Sequence, residues 1–185
     1  MKPLSFDIEE VLRLFEQKRI LDLRGMSNRL VREAALGNDY AKAELGVIAY
    51  ALHKIETKPH FVKSEKWTGV RKIIAEKLAE AENAARTENQ TAFLSALKSV
   101  IQNIKQIDAE LGNFAQDAYE KAKVKQASLA YSYGLSISQS ADLTGADKKE
   151  VQSYIGFTTM HDEELEVKNI SQRVKELKKL LEENN

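Results

Sequence analysis

Residues 128–157 read SLAYSYGLSISQSADLTGADKKEVQSYIGF. Over this stretch the apolar periodicity breaks into two short helical segments. Gly134 ends the helix before them, and Ser136 is placed to cap a segment covering Ile137 to Thr144. Gly145 supplies the left-handed residue of a tight turn, and Asp147 caps a second segment from Lys148 to Ile155. Two short helices joined through a glycine must cross closely. The first then needs a small side chain at the crossing and the second an apolar one facing it. Ala141 and Val151 meet those demands, with Leu143 and Ile155 able to complete the small core.

Upstream, no stretch alternates apolar and polar residues long enough to form a sheet, and both prolines lie outside the long periodic segments, so the chain reads as all-α. Ser5 is placed to cap a first helix carrying Ile8, Val11, Leu12 and Phe15, in a region that ends at Gly25. A short second pass runs from Ser27 to Leu36 and stops at Gly37. Asn38 caps a third helix whose stripe is Tyr40, Leu45, Ile48, Leu52 and Ile55, until Lys58-Pro59 forbids continuation. Ser64 opens a fourth through Ile73, Ile74, Leu78 and Ala81 to about Arg86. Asn89 or Thr91 opens a fifth, with Phe93, Leu94, Leu97, Val100, Ile101, Ile104 and Ile107 as its buried face. A sixth starts near Asp108 and runs to about Tyr133, with Gly112 as a point of interruption. Short polar joints favour antiparallel neighbours, so residues 1–120 read as an up-and-down helical bundle.

The 185 residues contain no cysteine, which excludes a disulfide framework, a zinc ribbon, a thiol nucleophile and an iron–sulfur site. No apolar run approaches the roughly 18 residues of a membrane span, and the start MKPLSFDIEE turns acidic early. These features predict a soluble, cytoplasmic protein with neither signal peptide nor membrane span. With 28 Lys and Arg balancing 28 Asp and Glu, nucleic-acid binding requires a local charge asymmetry. Residues 53–72 carry six Lys or Arg against two Glu, with His60, Phe61 and Trp67 interleaved. Such a loop can stack on bases. The ordinary burial of aromatics favours Phe61 and Trp67 as anchors to the bundle.

Ala141, Gly145 four residues on, Val151 six further and Tyr154 near the closing apolar position together resemble the helix-turn-helix DNA-binding motif. Leu129, Tyr133 and Leu135 support it, whereas Ser140 and Thr144 stand where the motif more often has apolar side chains. In layout the whole chain is similar to small archaeal predicted helix-turn-helix transcriptional regulators. The resemblance implies that the second short helix lies in the major groove while the first bridges the DNA backbone. Lys148, Lys149, Gln152 and Ser153 then project outward, with Gln152 offering its amide to adenine N6 and N7 and Lys149 reaching guanine O6 or N7. Ser136 and Ser138, with the backbone N–H groups beside them, suit phosphate oxygens. Residues 121–156 hold five Lys and no Arg against three acids, a net charge of +2 that predicts modest affinity from one copy. The expected partner is double-stranded DNA and the expected function is transcriptional regulation. The alternative is a helical hairpin that merely closes the bundle, in a non-catalytic scaffold or protein-interaction module.

Beyond His161 the tail places Val167, Ile170, Val174, Leu177 and Leu181 at intervals of 3, 4, 3 and 4, the seam of a coiled coil. A homodimer through these residues is one reading, and a C-terminal amphipathic helix folded back on its own bundle is the other. The organisation is thus a bundle over 1–120, a helix-turn-helix region over 121–160 and a coiled-coil-like helix over 161–185. Nothing points to an enzyme. His53, His60 and His161 are scattered, with no pair at i, i+4, and none follows an Arg by four to six residues as in the helical HEPN ribonucleases. Glu76 and Glu80 read as a solvated face, so no catalytic residue, metal or cofactor is expected.

Overall fold

A computed structural model describes residues 3–111 and 118–165, with side chains described as far as Thr158. Among these residues there are nine helices and no strand: α1 (Leu4–Glu16), α2 (Ile20–Gly37), α3 (Tyr40–Glu56), α4 (Pro59–Val62), α5 (Glu65–Arg86), α6 (Gln90–Leu111), α7 (Ala118–Ser132), α8 (Ile137–Thr144) and α9 (Lys148–Leu165). The all-α reading therefore holds, and no described helix is long and apolar enough to cross a membrane.

Several helix ends differ from the sequence reading, for local reasons. Pro3 and not Ser5 precedes α1, which uses proline's fixed φ and needs no side-chain cap. The first break falls at Lys18 and not at Gly25. There Lys18 adopts φ 54° and the Arg19 N–H closes onto the Leu14 carbonyl at 2.9 Å. This is a left-handed helix stop, normally a glycine role, filled by a lysine. Gly25 sits exposed inside α2 and is tolerated there, at a cost of about 1 kcal/mol relative to alanine. Asn38 ends α2 in the left-handed region instead of opening α3, and Asp39 caps α3 by accepting from the Lys42 N–H at 3.0 Å. Asn89 caps α6 in the same way, through the Ala92 N–H. α6 continues past Asp108 to Leu111, and Asp108 accepts from the Ala118 N–H at the start of α7 at 2.6 Å. Gly112 lies outside the described residues. α9 runs on to Leu165 where the reading stopped at Ile155.

α2 and α3 pack against each other most extensively, joined by Asn38-Asp39, and α5 and α6 form a second such pair. α1 lies against α5, and one large core of Ile8, Phe15, Leu30, Leu52, Trp67, Leu78, Leu97 and Ile104 joins both pairs. α3 is apolar nearly all round: 13 of its 17 residues are buried, which places it at the centre. Tyr40, Ile73 and Leu94, read as part of apolar stripes, are exposed: Tyr40 is the first residue of α3, and Ile73 and Leu94 sit at the margins of the buried arcs of α5 and α6. Phe61 and Trp67 are buried, so the basic segment 53–72 is anchored by its aromatics. α7 packs on α3 and α8, and so joins the larger core to the last two helices.

A linked set of charges runs from this core to its edge, with Asp7 and Lys42 buried, Glu33 and Arg29 partly exposed, and Glu10 of α1 joining Arg29 at 3.3 Å on the outer side. Asp7 of α1, fully buried, has Lys42 Nζ at 3.0 Å and accepts from Arg29 Nη2 at 3.0 Å. Glu33 of α2 completes the square, accepting from Lys42 Nζ at 2.7 Å and Arg29 Nη1 at 2.9 Å. The Lys42 bond holds the Glu33 carboxyl below its ordinary value of 4.5; burial opposes this and Arg29 reinforces it. A folded pKa below the unfolded one gives a stabilisation complete above the unfolded value and lost as pH falls through the folded one. Urea midpoints should therefore fall as the solution is acidified below about pH 4.5, with a shallower fall in Glu33→Gln; identical acid profiles would show that the square does not titrate with folding.

α2 and α3 approach closely at Gly46, where a Cβ would stand 2.8 Å from Val31 Cγ2 and 3.3 Å from the Ser27 carbonyl oxygen. Ser27 Oγ donates to the Gly46 carbonyl at 2.7 Å in the same buried contact. Overfilling a packed site typically costs about 1–3 kcal/mol. Gly46→Val should lower the urea midpoint by that order, and Gly46→Ala by less, because alanine returns about 1 kcal/mol of helix propensity. A Gly46→Val protein as stable as the parent would mean that α2 and α3 do not meet there.

Candidate nucleic-acid interface

Each joint of the segment from α7 to α9 is specified locally. α7 closes with Gly134 at φ 102°, its N–H bonded to the Tyr131 carbonyl at 2.9 Å. Ser136 and Gln139 then form a reciprocal cap: Ser136 Oγ accepts from the Gln139 N–H at 3.2 Å, and Gln139 Oε1 accepts from the Ser136 N–H at 2.9 Å. α8 ends at Gly145 with φ 65° and ψ 25°, and the Ala146 N–H returns to the Ala141 carbonyl at 2.9 Å. Asp147 Oδ1 accepts from the Lys149 and Glu150 N–H groups at 2.9 and 3.0 Å, opening α9.

Ala141 and Val151 are buried in one small cluster with Val124 and Ala127 of α7, and Ile137, Tyr154 and Ile155 pack partly against it. Leu143 does not complete this cluster as the sequence suggested. It points the other way, into Val31, Ala34, Ala43 and Ala130, and so ties α8 to α2, α3 and α7. A second tie is polar: Tyr40 Oη donates to Asp142 Oδ2 at 2.6 Å, and this bond raises the tyrosine pKa. Ser140 and Thr144, polar where apolar residues are commoner in the motif, are both buried. Thr144 Oγ1 is satisfied by the Ser140 carbonyl at 3.0 Å, whereas Ser140 Oγ has no hydrogen-bond partner among the described residues. An unsatisfied buried hydroxyl costs about 1–3 kcal/mol.

Ser136, Ser138, Lys148, Lys149, Gln152 and Ser153 are all exposed. At about 100° per residue, the four α9 positions cover an arc of roughly 140° that starts beside Ile155 and turns away from the arc that Val151, Tyr154 and Ile155 present to the core. Lys148 and Lys149 have no acidic side-chain partner among the described residues. They occupy the first turn of α9, where the helix dipole disfavours cations, and Asp147 and Glu150 offset part of that cost. At the other end of the arrangement, the reciprocal cap already uses the Ser136 and Gln139 N–H groups, so those of Ile137 and Ser138 remain for an anion.

The net charge overstates the free cations. Lys123 is ion-paired with Glu120 at 3.0 Å, and Lys125 lies 5.3 Å above the Tyr154 ring, a contact absent from the sequence reading. No periodicity signals it, because it joins adjacent helices. Phe157 is likewise new, a large apolar side chain 74% exposed on α9 beyond Ser153. The histidines lie elsewhere. His53 is buried, with Nδ1 2.9 Å from the Ile20 carbonyl oxygen, and burial lowers its pKa. His60 is exposed beside Phe61, and the side chain of His161 lies outside those described. Glu76 is exposed and Glu80 pairs with Lys77 at 2.7 Å. Comparison with known proteins finds no matching family model, no similar curated protein and no similar solved structure.

The turn is the most exacting part of this geometry. A β-branched residue resists positive φ, at a cost of about 1–3 kcal/mol, whereas asparagine enters that region more readily. Gly145→Val should therefore lower the thermal midpoint followed by circular dichroism, and Gly145→Asn should recover most of the loss. Equal midpoints for Gly145→Val and the parent would show that the left-handed turn is not required.

Proposed function

We propose that this chain is a sequence-specific double-stranded DNA-binding protein, a transcriptional regulator that reads the major groove with the first half of α9 in a helix-turn-helix. One observation carries the reading. The short α8 and the longer α9 cross at Ala141 and Val151 through a left-handed Gly145, while Lys148, Lys149, Gln152 and Ser153 stand exposed together on the outward arc of α9. Phosphate would answer the two cations in the first turn, and the Gln152 amide has the donor and acceptor pair that adenine N6 and N7 require. Ser136 and Ser138 lie at the start of α8, suited to the DNA backbone.

A second reading is favoured by Leu143. Its burial among α2, α3 and α7 makes α8 part of the scaffold's core, as expected of a hairpin closing a non-catalytic interaction module. On the DNA reading, a second copy adds the phosphate contacts that one weakly charged head lacks. The seam proposed for that dimer, Val167, Ile170, Val174, Leu177 and Leu181, lies outside the described residues. Two copies predict a target with two-fold related half-sites.

The full-length protein, incubated with random duplexes over a range of salt and sequenced for what it retains, distinguishes the two readings. The DNA reading expects an enriched motif with two-fold symmetry. Gln152→Ala should relax preference at one base position by about 1–3 kcal/mol, whereas Lys148→Ala should weaken all sequences evenly and lower the salt slope by about 1. Retention unchanged by either substitution in a folded protein removes the groove assignment and leaves the scaffold.

A further inference from the structure

A cavity of about 350 Å³ opens where the α1–α2 joint, the end of α3 and the first half of α5 converge. Its walls bring together more charge than the fold consumes. Arg71 is held through two of its nitrogens: Nε donates to Glu56 Oε1 at 2.8 Å, Nη2 donates to the Phe15 and Glu16 carbonyl oxygens, and the guanidinium lies 4.6 Å from the Phe15 ring centroid. That arginine neutralises Glu56 and covers the last carbonyls of α1. Lys18 and Lys72 remain, both exposed and without an acidic partner among the described residues, against the single carboxylate of Glu16. The cavity therefore keeps one net positive charge. Trp67, Val62 and Ala75 give it apolar wall and Thr68 adds a hydroxyl.

We propose that this cavity binds a small monocarboxylate, its anionic end between Lys18 and Lys72 and its apolar body against the wall that includes Trp67. The size lies at the lower end of small-molecule sites, and one net charge with an apolar wall matches a monoanion carrying a hydrocarbon body. Such a ligand would bridge the α1–α2 joint and α5. The assignment does not depend on the DNA-binding reading.

Trp67 is the only tryptophan in the chain, so a change in emission on ligand addition comes from this wall residue and from no other tryptophan. The full-length protein is titrated with benzoate and with isobutyrate, and with benzamide as the uncharged counterpart of benzoate. Lys18→Gly is a favourable variant, because glycine adopts φ 54° without strain and the turn is kept while the ammonium is lost. Lys72→Gln removes the other charge. The expected result is a saturable change in Trp67 emission with at least one carboxylate. Affinity should weaken about tenfold or more in the double variant, and benzamide should bind correspondingly less tightly. Any of three results overturns the proposal: no saturable change with either carboxylate, equal affinity for benzoate and benzamide, or unchanged carboxylate affinity in a double variant whose circular dichroism matches the parent.

Discussion

The packing of α3 is the constraint on which the other helices depend. A helix with so little polar surface must be covered on every side, and α1, α2, α4, α6, α7 and α8 all lie against it. Its contact with α2 is closest-set at Gly46, where no Cβ fits without displacing Val31. Ser27 bonds the Gly46 carbonyl in the same place, so distance and direction are set together. Once α2 is seated, Val31 and Ala34 form with Ala43 the surface that receives Leu143 and Ala130. The position of the last helices is thus inherited from one glycine contact far from them in sequence.

The buried charges act on the same helices by different physics. Asp7, Lys42, Glu33 and Arg29 link α1, α2 and α3, and each carboxylate faces two cations. A buried pair gains little net stability over apolar residues of similar volume, because both ions give up hydration. Losing Asp7 or Lys42, the two buried members, is the costly event, about 3–5 kcal/mol, because the other is left without compensation. The square therefore acts chiefly on register, penalising any sliding of α1 or α2 along α3 that would separate its members. Apolar contacts alone penalise such sliding less.

The segment from α7 to α9 combines strong local specification with weak separation from the scaffold. Its caps and its left-handed turn are set by residues within a few positions of one another. Its small core around Ala141 and Val151 is shared with α7, and α7 is also packed on α3. Leu143 and the Tyr40–Asp142 bond add ties to the rest of the protein. The exposed arc of α9 is therefore held in place by packing through α7, α2 and α3 as well as by its own turn.

Sequence by itself determined the features that depend on neighbours within a turn or two. These include the all-helical class, the buried stripe from Phe93 to Ile107, the cap at Ser136, the turn at Gly145 and the pairing of Ala141 with Val151. Helical periodicity and capping chemistry are local, so they are legible without coordinates. The break at Lys18 was not legible, since a lysine carries no signal for a left-handed stop and Gly25 carries a false one. Tertiary structure alone decided the direction of Leu143, the burial of Asp7 and Lys42, the placement of Lys125 over Tyr154 and the cavity beside Trp67. Each depends on which helices become neighbours. That choice is made by shape and volume at contacts such as Gly46 with Val31, between residues 15 positions apart on different helices, and no local pattern encodes it.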